Sequence, residues 1–167
     1  MDLFMLRHGI ATGRSVSSTA HDADRPLTKK GAKRARIIAE RLRDLDISFD
    51  VVLASPFQRA KETANIVVGV FKYKDRLNIS PHLKVGGSKI ALIKEINARF
   101  GNAGSILLVG HEPYLTDLIS VLLSGTNDLA IRLKKGGICK LTVESLSLAR
   151  CATLDWLITP RQLLRGG

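Results

Sequence analysis

The chain has 167 residues, 45% hydrophobic and 25% charged, a balance that fits one soluble globular domain with a core of its own. No apolar run approaches the ~18 residues a membrane span requires. The N-terminus also lacks the basic and long apolar regions of a secretory signal, so a cytoplasmic protein is expected. The net charge of +11, from 26 Lys and Arg against 15 Asp and Glu, is the unusual feature. Much of it lies between Arg25 and Arg43, where it reads either as a solvated helix face or as steering of an anionic partner.

The elements alternate along the chain. Residues 2–8 read as a buried strand, Leu3-Phe4-Met5-Leu6, that ends in Arg7-His8-Gly9. Residues 10–26 are small, polar and aperiodic, a loop whose length suggests a functional role. Thr28 is a good N-cap, and Ala32, Ala35, Ile38, Ala39, Leu42 and Leu45 then share one helical face. A strand over 50–55 runs into Ser55-Pro56-Phe57-Gln58-Arg59-Ala60. A helix over 57–71 follows, its buried side formed by Ala60, Thr63, Ala64, Ile66, Val67 and Val70. A short strand is expected near 77–80. A helix over 88–99 carries Ile90, Ile93, Ile96 and Ala98 inward and is stopped by Gly101-Asn102-Ala103-Gly104. The strand 105–110 leads into His111-Glu112-Pro113, and a helix over 114–124 ends at Gly125. Residues 138–143 and 152–158 alternate apolar and polar residues and are expected to pair as a hairpin at one edge. This order predicts an α/β fold with helices on both faces of a mostly parallel sheet, in one domain spanning residues 1–167.

Three strand ends therefore supply Arg7, His8, Arg59 and His111, with Ser55 beside them, and strand ends are where open α/β sheets hold ligands. Two histidines and two arginines suit a phosphoryl group. The guanidinium presents a planar fork of donors, and an imidazole is largely neutral, and so nucleophilic, near neutral pH. Cys139 and Cys151 show no C-x-x-C spacing and are expected to be reduced core thiols. The four histidines lack metal-ligand spacing, so no metal or other cofactor is expected. His82 is expected to be an exposed loop side chain, and His21 is a weak candidate for a lid over the site.

Taken together, Arg7-His8-Gly9, Leu27-Thr28-x-x-Gly31, Ser55-Pro56-x-x-Arg59-Ala60-x-x-Thr63-Ala64 and Gly110-His111-x-Pro113 resemble the histidine phosphatase superfamily, which has the phosphoglycerate mutase-like fold. The short chain and the Arg25-Pro26-Leu27-Thr28 tetrad look most like its small SixA-type phosphohistidine phosphatase branch. The resemblance covers residues 3 to about 124, and the two final strands are compatible with it. It implies that His8 is the nucleophile, forming a phosphohistidine intermediate, and that Arg7, Arg59 and His111 surround the transferred group. Gly9 would let the backbone approach the phosphate. Arg25 would be a further phosphate or partner contact, and Ser55 a hydrogen-bond donor in the site.

One departure from the larger superfamily bears on substrate. Many members carry a carboxylate after the third strand that protonates a leaving oxygen. Here residues 79–87 read Ile-Ser-Pro-His-Leu-Lys-Val-Gly-Gly, with no Asp or Glu. An alkoxide needs such an acid, whereas a phosphoimidazole protonated on its other nitrogen leaves as neutral imidazole. The expected substrate is therefore a protein phosphohistidine, on a histidine-containing phosphotransfer domain or similar carrier, met by a monomer. Glu112 and Glu62 are the two residues that could supply an acid and turn the enzyme into a broader phosphomonoesterase. A mutase is disfavoured by the same missing acid, and a domain that binds phosphate without turnover is disfavoured by the presence of His8 and both arginines. A basic nucleic-acid-binding module is the alternative from another class. The charge allows it, but the aromatic residues are scattered and no nucleic acid partner is expected.

Overall fold

The computed structural model describes residues 1–13 and 22–165. His21 and the middle of the 10–26 segment lie outside the described residues. Six strands form one sheet in the order β3-β2-β4-β1-β5-β6. They are β1 (Asp2–Arg7), β2 (Val51–Ala54), β3 (Leu77–Ile79), β4 (Ser105–Gly110), β5 (Ile138–Val143) and β6 (Ala152–Ile158). The pairs β2–β3, β2–β4 and β1–β4 are parallel, while β1–β5 and β5–β6 are antiparallel, so the expected hairpin does occupy one edge.

The helices are α1 (Lys29–Asp44), α2 (Gln58–Phe71), α3 (Lys89–Phe100), α4 (Tyr114–Ser124) and α5 (Pro160–Arg165). Side chains alternate across each strand. Phe4 and Leu6 of β1 therefore pack with α1, α2 and α5, while Leu3 and Met5 pack with α3 and α4. The result is two apolar layers with the sheet between them. β1 and β4 are neighbours, and the helices that follow them lie on opposite faces. This is a topological switch point, and it opens a crevice at the carboxyl ends of the strands.

Several local expectations are corrected. Ile90 is 57% exposed and Ala98 also faces solvent; α3 instead buries Leu92, Ile93 and Ile96. Leu45 is 59% exposed because α1 ends at Asp44. Ala32 and Ile66 are half-buried, as is His82, which sits in a short 3-10 turn, Pro81–Leu83. Cys139 is buried in β5, where burial pushes its thiol up to about 12, but Cys151 is only partly buried.

The start of α1 is tied to the end of β1. The Ile10 carbonyl accepts hydrogen bonds from Thr28 N (2.9 Å) and Thr28 Oγ1 (3.2 Å), while Thr28 Oγ1 caps the helix by accepting from Gly31 N at 2.9 Å. Any Cβ on Gly31 would lie 2.0 Å from the Ile10 oxygen, so only glycine permits this approach.

Candidate active site

The last residue of β1 is Arg7, and His8 follows it; Ser55 follows β2 and His111 follows β4. Because β2, β4 and β1 are adjacent and parallel, these three ends lie side by side. Arg59, in the first turn of α2, completes the cluster. Four of the five expected polar residues are buried: His8, Ser55, Arg59 and His111. The fifth, Arg7, is half-buried. The two imidazole centroids are 5.1 Å apart.

The orientation of His8 follows from its partners. Nδ1 lies 2.7 Å from the Gly9 carbonyl oxygen, which can only accept, so Nδ1 carries the proton. Nε2 therefore holds the lone pair, and Arg59 Nε donates to it at 3.2 Å. Burial, then the charges of Arg59, Arg7 and Lys135, push His8 down to about 4 despite the opposing Gly9 contact. Burial also dominates at His111, which with the charges of His8, Arg59 and Arg7 falls to about 3 against a smaller upward pull from Asp22. Both rings are neutral at neutral pH.

His111 Nε2 and Ser55 Oγ share a 2.7 Å hydrogen bond. The Phe57 amide donates to the same hydroxyl oxygen at 3.3 Å. When the Ser55 hydroxyl donates to Nε2, the neutral His111 bears its proton on Nδ1. Nδ1 is buried and, among the described residues, has no hydrogen-bond partner; the same holds for Arg7 Nε. Arg7 Nη1 donates to the Leu133 carbonyl at 2.9 Å, which fixes the guanidinium. Buried donors without protein partners are costly in a native fold. Arg7 Nε and, in that tautomer, His111 Nδ1 are such donors, on side chains next to His8 in sequence and in space, an arrangement suited to an anion with several acceptor oxygens.

Gly9 also has a role in the fold. A Cβ there would meet Leu27 Cδ2 at 3.2 Å and Gly31 O at 3.3 Å, so the missing side chain makes room for the start of α1. The Gly9 amide donates to Thr63 Oγ1 at 3.1 Å, and that hydroxyl donates to the Arg59 carbonyl at 2.7 Å. Thr63 thus links the histidine segment to the first turn of α2. Arg25 is engaged within its own segment, donating through Nε to Asp22 Oδ1 at 2.9 Å and through Nη1 to the Thr12 carbonyl at 2.8 Å.

The two candidate acids separate clearly. Glu62 accepts from the Leu27 amide at 2.6 Å and from Gln58 Nε2 at 2.8 Å, so both oxygens are occupied in bracing the Leu27–Thr28 turn. In Glu112, Oε2 accepts from Thr116 Oγ1 at 2.7 Å, whereas Oε1 is buried without a partner among the described residues. Burial raises its pKa, while the Thr116 hydroxyl and the Arg7 charge oppose the rise.

Two contributors were not legible in the sequence. Asp22 Oδ2 lies 3.0 Å from Arg59 Nη2 and its carbonyl accepts from Arg59 Nη1 at 2.6 Å, while Oδ1 pairs with Arg25. It bridges the two arginines from a segment with no periodic signal. The charge of Lys135 is felt at His8 from the turn before β5, where the Gly136 amide donates to the Arg7 carbonyl at 3.0 Å and the Gly137 carbonyl accepts from the Arg7 amide at 3.0 Å. The Lys134-Lys135-Gly136-Gly137 run ahead of a strand was the available signal.

The histidine phosphatase superfamily (branch 1) model matches residues 3–84. Phosphohistidine phosphatase SixA of Escherichia coli (strain K12) is 30% identical over 127 residues, covering 75% of this chain and 76% of SixA. An uncharacterized protein of Picosynechococcus sp. (strain ATCC 27264 / PCC 7002 / PR-6) is 33% identical over 147 residues, covering 83% of this chain and 82% of its own. The solved structure of the protein histidine phosphatase SixA complexed with tungstate superposes with a TM-score of 0.84 at 26% identity, over 98% of this chain and 99% of that one. The fold, the crevice between β1 and β4 and these similarities agree: the chain belongs to the histidine phosphatase superfamily, in its SixA-type branch, and is a phosphatase.

Proposed function

We propose that the protein hydrolyses protein phosphohistidine through a phosphorylated His8. His8 Nε2, left unprotonated by the Nδ1–Gly9 contact and exchanging its Arg59 hydrogen bond for the substrate, attacks phosphorus as the bond to the substrate imidazole breaks. The departing ring takes up the electron pair and, protonated on its other nitrogen, leaves neutral. Water then attacks phosphorus on His8, its two hydrogens leave with the product as dihydrogen phosphate, and Nε2 recovers its lone pair. Arg7, Arg59 and the Nδ1–H of His111 supply donors to the equatorial oxygens in both displacements. Asp22, paired with Arg59, positions that guanidinium.

The observation that carries this reading is the absence of a carboxylate from the segment after β3. Ser80 there turns away to donate to Glu95, and Leu83 is buried in the core. A segment without an acid at that position suits a leaving group that needs none. The partner would be a phosphohistidine-bearing protein, such as a histidine-containing phosphotransfer domain. It would meet a single-domain cytoplasmic monomer spanning residues 1–167.

Glu112 favours a second reading. A buried carboxyl with a raised pKa and an unpartnered oxygen can hold a proton, which is what a phosphomonoesterase needs. One experiment separates the two: phosphate release from a phosphohistidine protein and from a phosphoserine peptide, with His8→Ala and Glu112→Gln beside the wild type. Release from phosphohistidine alone, lost in His8→Ala and retained in Glu112→Gln, supports the N–P phosphatase. Comparable release from phosphoserine that collapses in Glu112→Gln supports the esterase. His8→Ala retaining more than a small fraction of the wild-type rate would sink the nucleophile assignment.

A further inference from the structure

Beside the crevice runs a second concavity of about 720 Å³, lined by Arg7, Ile10, Arg34, Lys134, Lys135, Pro160, Arg161 and Leu164. Four parts of the chain build it: the end of β1 and the residues after it contribute Arg7 and Ile10, α1 contributes Arg34, α5 contributes Pro160, Arg161 and Leu164, and the turn before β5 contributes Lys134 and Lys135. Five of its eight lining residues are cations and none is an acid. Among the described residues, Arg34, Lys134, Lys135 and Arg161 make no ion pair with any carboxylate of the chain.

Arg7 belongs to both the groove and the catalytic crevice, and the charge of Lys135 is felt at His8. Whatever lies in the groove is therefore continuous with the phosphoryl site. Clustered like charges repel one another and are tolerated where an opposite charge arrives. The remaining lining, Ile10, Pro160 and Leu164, is apolar and only half-buried. The groove contains no aromatic ring on which a base could stack, which argues against nucleic acid. It matches a chain segment bearing carboxylates on one side and aliphatic side chains on the other.

We propose that this groove docks an acidic, amphipathic segment of the phosphoprotein substrate, next to the residue whose phosphate enters the His8 site. The proposal rests on the phosphatase reading of that site and adds to it the kind of protein that is recognised. It also gives the basic surplus a function: selection of the partner by charge, beyond the single phosphoryl group.

The test is fluorescence anisotropy with a labelled, unphosphorylated peptide that alternates Glu with Leu, beside a version carrying Gln for Glu. Binding to wild type is compared with Arg34→Glu/Lys134→Glu/Arg161→Glu, which alters the groove and leaves Arg7, His8, Arg59 and His111 in place. The expected result is that the acidic peptide binds about tenfold or more tightly than its Gln version at low salt, and that the triple variant loses this preference. Turnover of phosphoimidazole or p-nitrophenyl phosphate, whichever the wild type hydrolyses, should stay within about twofold, since the catalytic groups are untouched. Equal affinity for the two peptides, or a preference that survives the triple variant, overturns the proposal. So does displacement of the peptide by single-stranded RNA at lower concentration than by unlabelled peptide. The phosphohistidine reading can fail separately: phosphohistidine would then not be hydrolysed, while the acidic peptide would still bind in a groove-dependent way.

Discussion

The two buried imidazoles make acid sensitivity the most direct check on the site. His8 lies at about 4 and His111 at about 3, against an ordinary histidine near 6.5. At pH 5 the His8 ring is then about nine-tenths neutral, where an unperturbed ring would be only about one-thirtieth neutral. Histidine-selective carbon-13 labelling and NMR titration of the free enzyme would read this directly, with His8→Ala assigning the resonance. Stability carries the same information. A folded-state pKa below the unfolded value means that the unfolded chain binds the proton first, so the stabilisation is fully present above about pH 6.5 and erodes as pH falls towards the folded values. Each pKa unit is worth about 1.4 kcal/mol, which makes the loss between pH 7 and pH 5 about 2 kcal/mol for His8 and similar for His111. Urea unfolding at the two pH values measures the sum. A His8 midpoint near 6.5, with no extra loss of stability at pH 5, would refute the claim that burial and the surrounding cations keep Nε2 unprotonated.

Other outcomes follow from particular contacts. Arg59→Ala removes the donor to His8 Nε2 and a charge that depresses both histidines; KM should rise, kcat should fall and the His8 midpoint should move up, and an unchanged KM would contradict the assignment. Gly31→Ala drives a Cβ to 2.0 Å from a backbone oxygen that cannot rotate away, and should cost about 1–3 kcal/mol or more in thermal or urea unfolding. Glu62→Ala frees the Leu27 amide and should cost about 1 kcal/mol while kcat on phosphohistidine stays within about twofold; a large fall in kcat with full stability would restore Glu62 as an acid.

Residues whose placement is dictated by a strand or helix period were legible from the sequence; those placed by a tertiary approach were not. An apolar run that ends in Arg7-His8, and another that ends in His111, must deliver those residues to a sheet edge, and the parallel order β2-β4-β1 then makes Ser55, His111 and His8 neighbours. Helix phase was read less well. In α3 the isoleucines at 90, 93 and 96 invite a three-residue spacing, whereas the inward stripe follows Leu92, Ile93 and Ile96, leaving Ile90 in solvent. Pro160 at the first position of α5 was an unread start signal, since a missing amide hydrogen costs nothing there. Asp22 is brought to Arg59 by ion pairing across the chain, which no local pattern encodes, and the Lys134-Lys135-Gly136-Gly137 run marks a turn without showing that it is clasped to β1. Gly9 shows the same limit from the other direction. The motif identified the residue, but only the approach of Gly31 shows that its small size admits the start of a helix. The Leu27-Thr28-x-x-Gly31 element thereby acquires a physical role. It lets α1 start against the backbone beside His8, with Glu62 bracing the turn, and so ties Arg34 of the basic groove to the His8 segment.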